Sequence, residues 1–175
     1  MAGPSGAGKS RIASAVADVL DVPYVEFDSL YHGPEWTVRE TWQREVLEFV
    51  AGPAWAIEWQ GEEVREPVTA RTDLLVWLDH PRWLTVAQVV ERTVRRRRAG
   101  GALWNGNTER PLWRALTDRD HILRWAWRAH PMMRERMHRF LRDGGFPDLV
   151  VVRLRGRREV KSWLAGPLLA GAPAS

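Results

Sequence analysis

The sequence contains no cysteine, which excludes disulfides and thiolate metal sites. That absence fits a reducing compartment, and a cytoplasmic location is the expectation. No apolar run reaches the roughly 18 to 20 residues that a membrane-spanning helix needs, so no membrane partner is expected. The first residues lack the charged stretch and apolar segment of a secretory signal. No internal repeat is visible, and no spacing of His, Asp and Glu suggests a protein-only metal cage. What is present is ordinary globular composition, with 45% hydrophobic and 27% charged residues over 175 positions. That length suits one domain with its own core.

The net charge of +4 hides an uneven distribution. Five arginines fall between Arg92 and Arg98, and more are spread from Arg110 to Arg142. Such clusters suit a polyphosphate, a nucleic acid or a solvated face. Eleven tryptophans read as core and closure packing rather than as a base-stacking platform.

Strand and helix patterns alternate along the chain. Ile12, Val16, Val19 and Leu20 carry helical spacing. Val22 to Phe27 reads as a short strand ending at Asp28, before a turn at Gly33-Pro34. Thr37 and Glu40 form a capping-box pattern ahead of a helix with Trp42, Val46, Phe49 and Val50 on its apolar stripe. Trp55 to Trp59 reads as a strand, and Val64 to Ala70 as a short helix. Leu74 to Leu78 is a continuous apolar run of the kind buried on both faces of a parallel sheet. Val86, Val89, Val90 and Val94 mark a helix that carries the arginine run, followed by a loop from Gly100 to Pro111. A long helix is expected from Thr117 and Asp120 to about Arg142, kinked near Pro131 and ended by Gly144-Gly145. Leu149 to Leu154 gives the last strand and Arg158 to Leu164 the last helix. The expectation is one α/β domain over residues 1–165 with a parallel sheet, and an unpacked tail over 166–175.

Gly3-Pro4-Ser5-Gly6-Ala7-Gly8-Lys9-Ser10 matches the phosphate-loop pattern G-x-x-x-x-G-K-[ST] at every position. Its glycines let successive N–H groups turn inward as an anion nest, and the helix that follows adds its positive end. Lys9 is placed to reach the β- and γ-phosphates of ATP, and Ser10 to offer its hydroxyl to Mg²⁺. Asp79, ending the run Leu74 to Leu78, is the second candidate magnesium ligand, although a strand-end aspartate also caps helices. Arg92 and Arg96 lie four apart and share a helix face from which they would clamp a phosphoryl group; a solvated basic face is the alternative. Asp28, at a strand end, is a candidate to accept a hydrogen bond or proton from an acceptor, with Glu58 able to share that work. A turn-forming or capping role is as good a reading of each. His32 reads as a surface histidine in its turn.

A loop of this kind ordinarily connects a strand to a helix, yet only Met1 and Ala2 precede Gly3. The first strand is therefore expected to be missing or truncated. A chain starting upstream of Met1 is the further expectation, as is low stability of the 175-residue chain.

With these residues placed, the chain resembles a bacterial family of adenylate-kinase-like P-loop proteins, some of which carry the name topology modulation protein. The resemblance rests on the glycine loop, on Phe27-Asp28 with His32-Gly33-Pro34 and Trp36, and on Trp77-Leu78-Asp79 before Pro81-Arg82. It continues through Arg92-Thr93, Leu103-Trp104-Asn105-Gly106-Asn107 and Arg124-Trp125-Ala126-Trp127, and so covers most of the chain. It implies a three-layer P-loop NTPase fold of the nucleotide-kinase type with a small lid at about 99 to 113. By the same likeness Arg92 and Arg96 resemble paired lid-helix arginines. The chain departs from the pattern at its first strand, and at Glu58, which Trp59 follows where the family tends to have glycine.

The expected function is ATP-dependent phosphotransfer to a small hydroxyl- or phosphate-bearing acceptor, with ATP and Mg²⁺ bound. The alternative is an ATP-binding regulatory or nucleic-acid-associated protein, although no DNA-reading element is visible. The guanine signature Asn-Lys-x-Asp is missing, which argues against a GTPase.

Overall fold

The computed structural model describes residues 1–99 and 122–170. It is a mixed α/β structure with a two-stranded parallel sheet. Strand β1 (Leu74–Leu78) pairs with β2 (Val150–Leu154) along its whole length, from Leu74 opposite Val150 to Leu78 opposite Leu154. The apolar run in β1 is buried on both faces, as its composition demands.

The hydrogen-bonded layer extends beyond these strands. Ala2 forms a parallel bridge with Trp77, donating to Val76 O at 2.8 Å and accepting from Leu78 N at 2.9 Å. On its other side Met1 N donates to Ile57 O, and Trp59 N donates to Met1 O, both at 2.8 Å. Ala56 in turn bridges Tyr24 in parallel. Met1 and Ala2 thus lie between the 56–59 segment and β1. The first strand, expected to be missing or truncated, is present as this two-residue segment.

Helices cover both faces. On one side α1 (Lys9–Leu20), α7 (Arg157–Ala165) and α8 (Pro167–Ala170) pack Ile12, Val16, Val160, Trp163 and Leu168 against Val76, Leu78 and Leu154. On the other, Leu75 and Trp77 meet Met137 of α6 (Ile122–Asp143). Even and odd residues of β1 therefore serve opposite layers, the two-residue period of a strand. A third cluster joins Phe27 of α2 (Phe27–Tyr31) to Trp42, Val46 and Val50 of α3 (Trp42–Val50). Val64 and Val68 of α4 (Glu62–Thr69) complete it. Helix α5 (Arg82–Ala99) follows β1 and packs beside α6.

Several expectations change. The strand expected over 22–27 is reduced to the Tyr24 bridge, and Asp28 lies in the first turn of α2 rather than at a strand end. The cause is Glu58, whose buried carboxylate accepts the Phe27 N–H at 2.7 Å and so starts a helix there. The strand expected at Trp55 to Trp59 is likewise a single bridge at Ala56. Thr37 does not cap α3; its hydroxyl and N–H both bond Pro34 O and close a 3₁₀ turn (Pro34–Trp36). Thr41 stands at the cap instead. The tail expected from residue 166 begins with α8, anchored by buried Leu168. Pro131 lies within α6, and Gly144 follows its end with φ of +61°. From residue 100 onward the expected lid, and with it the start of the long helix at Thr117, lies outside the described residues. No helix among the described residues is long and apolar enough to cross a membrane.

Candidate functional site

The loop preceding α1 turns sharply because three of its residues take backbone angles that side chains resist, the first being Gly3 with φ of +152°. Gly6 has φ of +84° and Gly8 has φ of +88°. Gly6 also lies against α5, where a β-carbon would sit 2.4 Å from both Thr85 O and Val89 Cγ2. Gly8 is the N-cap of α1 and offers no side chain, so the first-turn N–H groups of α1 face the loop rather than a capping oxygen.

The loop opens onto a cavity of about 1220 Å³. Gly3, Pro4, Ser5, Gly6, Gly8, Lys9 and Ser10 line it, while Ala7 turns into the core. Lys9 folds back over the loop, with Nζ 3.4 Å from Pro4 O. Burial pushes its pKa below the ordinary lysine value; the carboxylates of Asp28 and Glu58 pull it up, and Arg92 pushes it down. Three residues up to 83 positions away thus act on Lys9.

Asp28 lines the cavity, with Oδ1 3.4 Å from Gln60 Nε2. Glu58 is not among the residues lining the cavity. Its two oxygens are occupied by the Tyr24 hydroxyl and the Phe27 N–H, each at 2.7 Å, so it positions the segment that carries Asp28. The phenol is held protonated, its pKa raised by burial and then by Glu58.

Arg92 lines the cavity from α5 together with Gln88 and Arg95, at helical spacing. The side chain of Arg96 lies outside the described residues. Gln88, with its amide oriented to satisfy its neighbours, donates to Gly6 O at 2.8 Å and accepts from Arg157 Nε and Nη2 at 3.2 Å. It ties the loop to α5 and α7. His32 is half-buried and lines the cavity, in edge contact with Tyr31 and Trp36.

Asp79 is arranged differently from its expected magnesium role. Its side chain is 6% exposed; Oδ2 takes Arg153 Nε at 2.9 Å, and Oδ1 lies 3.1 Å from Arg134 Nε. Both oxygens are committed to guanidinium groups, and Asp79 is not among the residues lining the cavity. Nearby, His130 Nε2 lies 2.8 Å from His80 O, and the Arg82 guanidinium sits 3.5 Å over the Trp127 ring. These contacts fasten α6 to the end of β1. Among the described residues no cluster of His, Asp and Glu is arranged to hold a metal ion.

Sequence reasoning overlooked Arg65, Arg136, Gln88, Gln60 and Arg157, all of which line the cavity. Gln88 carried a usable signal, since it lies four residues before Arg92 on one helical face. Arg65 and Arg136 carried none, because 71 residues separate them.

Compared with protein-family models, curated proteins and solved structures, the chain matches none.

Proposed function

We propose that this protein is an ATP-dependent phosphotransferase acting on a small hydroxyl- or phosphate-bearing acceptor, built on a P-loop kinase fold. The carrying observation is the convergence of Lys9, Asp28 and Arg92 on one cavity whose wall is the Gly3-to-Ser10 loop. The fold reading rests on the spatial order of the hydrogen-bonded segments, in which residues 1–2 stand between the third and fourth of five parallel segments counted along the chain.

In this reading the loop N–H groups and the start of α1 hold the β- and γ-phosphates, with Lys9 neutralising them. An oxygen of the acceptor attacks the γ-phosphorus, the bond to the β–γ bridging oxygen breaks, and ADP leaves with the electron pair. Asp28 takes the hydrogen bond, and then the proton, of an acceptor hydroxyl. Arg92 stabilises the charge spread over the transferred group. Ser10 fits the role of magnesium ligand, whereas Asp79, held by Arg153 and Arg134, does not. Magnesium bound there would supply charge neutralisation on the phosphates.

The test is ADP release measured over nucleoside monophosphates, nucleosides, sugars and small acids. Acceptor-dependent release that disappears in folded Lys9→Ala protein is the expected result. Unchanged turnover in folded Lys9→Ala refutes the reading. Steeply salt-dependent DNA binding, indifferent to loop mutation, would favour the regulatory alternative.

A further inference from the structure

His80 lies in the short connection from β1 to α5, and its backbone is held from both sides. Before it, Asp79 N donates to Leu154 O at 2.8 Å. His130 Nε2 lies 2.8 Å from the carbonyl oxygen of His80 itself. After it, Pro81 O accepts the N–H groups of Leu84 and Thr85 at 3.0 and 3.2 Å. His80 is only 2% exposed, and what surface it has lies on the cavity wall.

That stretch of wall adjoins the glycine loop. A β-carbon on Gly3 would lie 3.1 Å from Leu78 O, and one on Gly6 would lie 2.4 Å from Thr85 O. Leu78 and Thr85 bracket His80 in the chain, so the connection that carries it runs beside the first half of the loop. Neither ring nitrogen of His80 has a hydrogen-bond partner among the described residues. Buried polar groups are seldom left so, because the bond they made to water is then not replaced. Gln88, on the same wall, commits its amide to Gly6 O at 2.8 Å and to the Arg157 guanidinium at 3.2 Å. Burial lowers the pKa of the imidazole, against an opposing influence of Gln88, so the ring is neutral at pH 7 with one N–H to give. A donor in need of an acceptor thus borders a cavity whose adjoining wall is shaped for an anion.

We propose that His80 is a phosphate-contacting residue, whose ring N–H donates one hydrogen bond to an oxygen of the phosphate chain held in the Gly3-to-Ser10 loop. Lys9 and Arg92 supply charge there. A neutral imidazole supplies direction instead, because its one donor lies in the ring plane and does not rotate as an ammonium does. The ring fixes the orientation of the phosphate chain rather than neutralising it. The proposal deepens the phosphotransferase reading and rests on it for the loop as a phosphate cradle.

The experiment uses the full chain, labelled with nitrogen-15 in its five histidines, and inorganic pyrophosphate as the probe at pH 7. The His80→Gln spectrum identifies the His80 signals. On addition of pyrophosphate, one ring N–H proton of His80 should move downfield and exchange slowly with water. Adenosine at the same concentration should leave it in place. His80→Phe, which keeps a ring and gives up the donor, should weaken pyrophosphate binding by about tenfold or more in calorimetry, as loss of a bond to a charged acceptor does. With no phosphate added, its melting temperature should equal or exceed that of wild type, because an unpaired buried polar group is gone. If His80→Phe fails to fold, the wild-type spectrum decides alone. An imidazole N–H that ignores bound pyrophosphate, or that responds equally to adenosine, overturns the assignment. So does unchanged affinity in folded His80→Phe, and a lower melting temperature beside it would make His80 a packing residue. If pyrophosphate does not bind the wild-type chain, the assignment and the phosphotransferase reading fall together. If it binds and moves the His80 signal while no acceptor supports ADP release, the assignment stands and the phosphotransferase reading falls.

Discussion

Replacing Gly6 by alanine tests whether the loop is held by packing as well as by backbone angle. The new β-carbon would meet Thr85 O and Val89 Cγ2 of α5 at 2.4 Å, and φ is +84°. A left-handed angle costs a side-chain-bearing residue roughly 1 kcal/mol. Forcing a methyl group against backbone adds about 1 to 3 kcal/mol. A total near 3 kcal/mol is a large share of the roughly 5 to 15 kcal/mol that holds such a domain together. In a chain of this size it lowers Tm by about 6 to 12 °C. Gly8→Ala isolates the backbone contribution, because a β-carbon there meets only Ile12 Cδ1 at 3.9 Å, although φ is +88°. Its loss should be about 1 kcal/mol, or roughly 2 to 4 °C. Gly145→Ala, with nothing within 4 Å, is the control and should leave Tm within about 1 °C. Differential scanning calorimetry of the three variants reads the series directly. If Gly6→Ala and Gly8→Ala melt together, the contact between the loop and α5 is not tight, and the argument for a loop braced by α5 is wrong.

Lys9→Met should remove transfer activity yet raise thermal stability at neutral pH. A cation whose native pKa is depressed makes stability rise with pH, between that lowered value and the ordinary 10.5, because the unfolded chain binds the extra proton. Melting curves across that window should show the slope in wild type and a smaller slope in Lys9→Met. Asp79→Asn should lower stability by about 2 to 4 kcal/mol by leaving Arg153 and Arg134 undercompensated, while magnesium-dependent nucleotide binding persists below the melting temperature; loss of that binding alone would restore Asp79 as a metal ligand. Glu58→Ala should cost about 2 to 4 kcal/mol by orphaning the Tyr24 hydroxyl and the Phe27 N–H. An unchanged Tm with a lower kcat would make Glu58 a catalytic acid instead.

The candidate site was legible where its residues are neighbours in sequence. The loop from Gly3 to Ser10 could be read whole, because glycine spacing, lysine and the following helical stripe are local facts. Asp28 reached the cavity, but as a first-turn residue of α2 rather than as a strand end. Asp79 and Glu58 looked equally suited to chemistry in one dimension. Only Arg153 and Arg134 on the one hand, and Tyr24 with Phe27 on the other, reveal that both carboxylates are already engaged.

The division follows from the range of the forces involved. A five-residue apolar run determines a buried strand at Leu74–Leu78, because every residue must leave water on one face or the other. A helical stripe determines α1 in the same way. The placing of Arg65, Arg136 and His32 along one cavity and the burial of Leu168 depend on which elements pack together. So does the seating of Met1 and Ala2 between Ile57 and β1. That choice is made by the whole set of apolar faces at once, and an arginine gains or loses its partner only when the chain has closed around it.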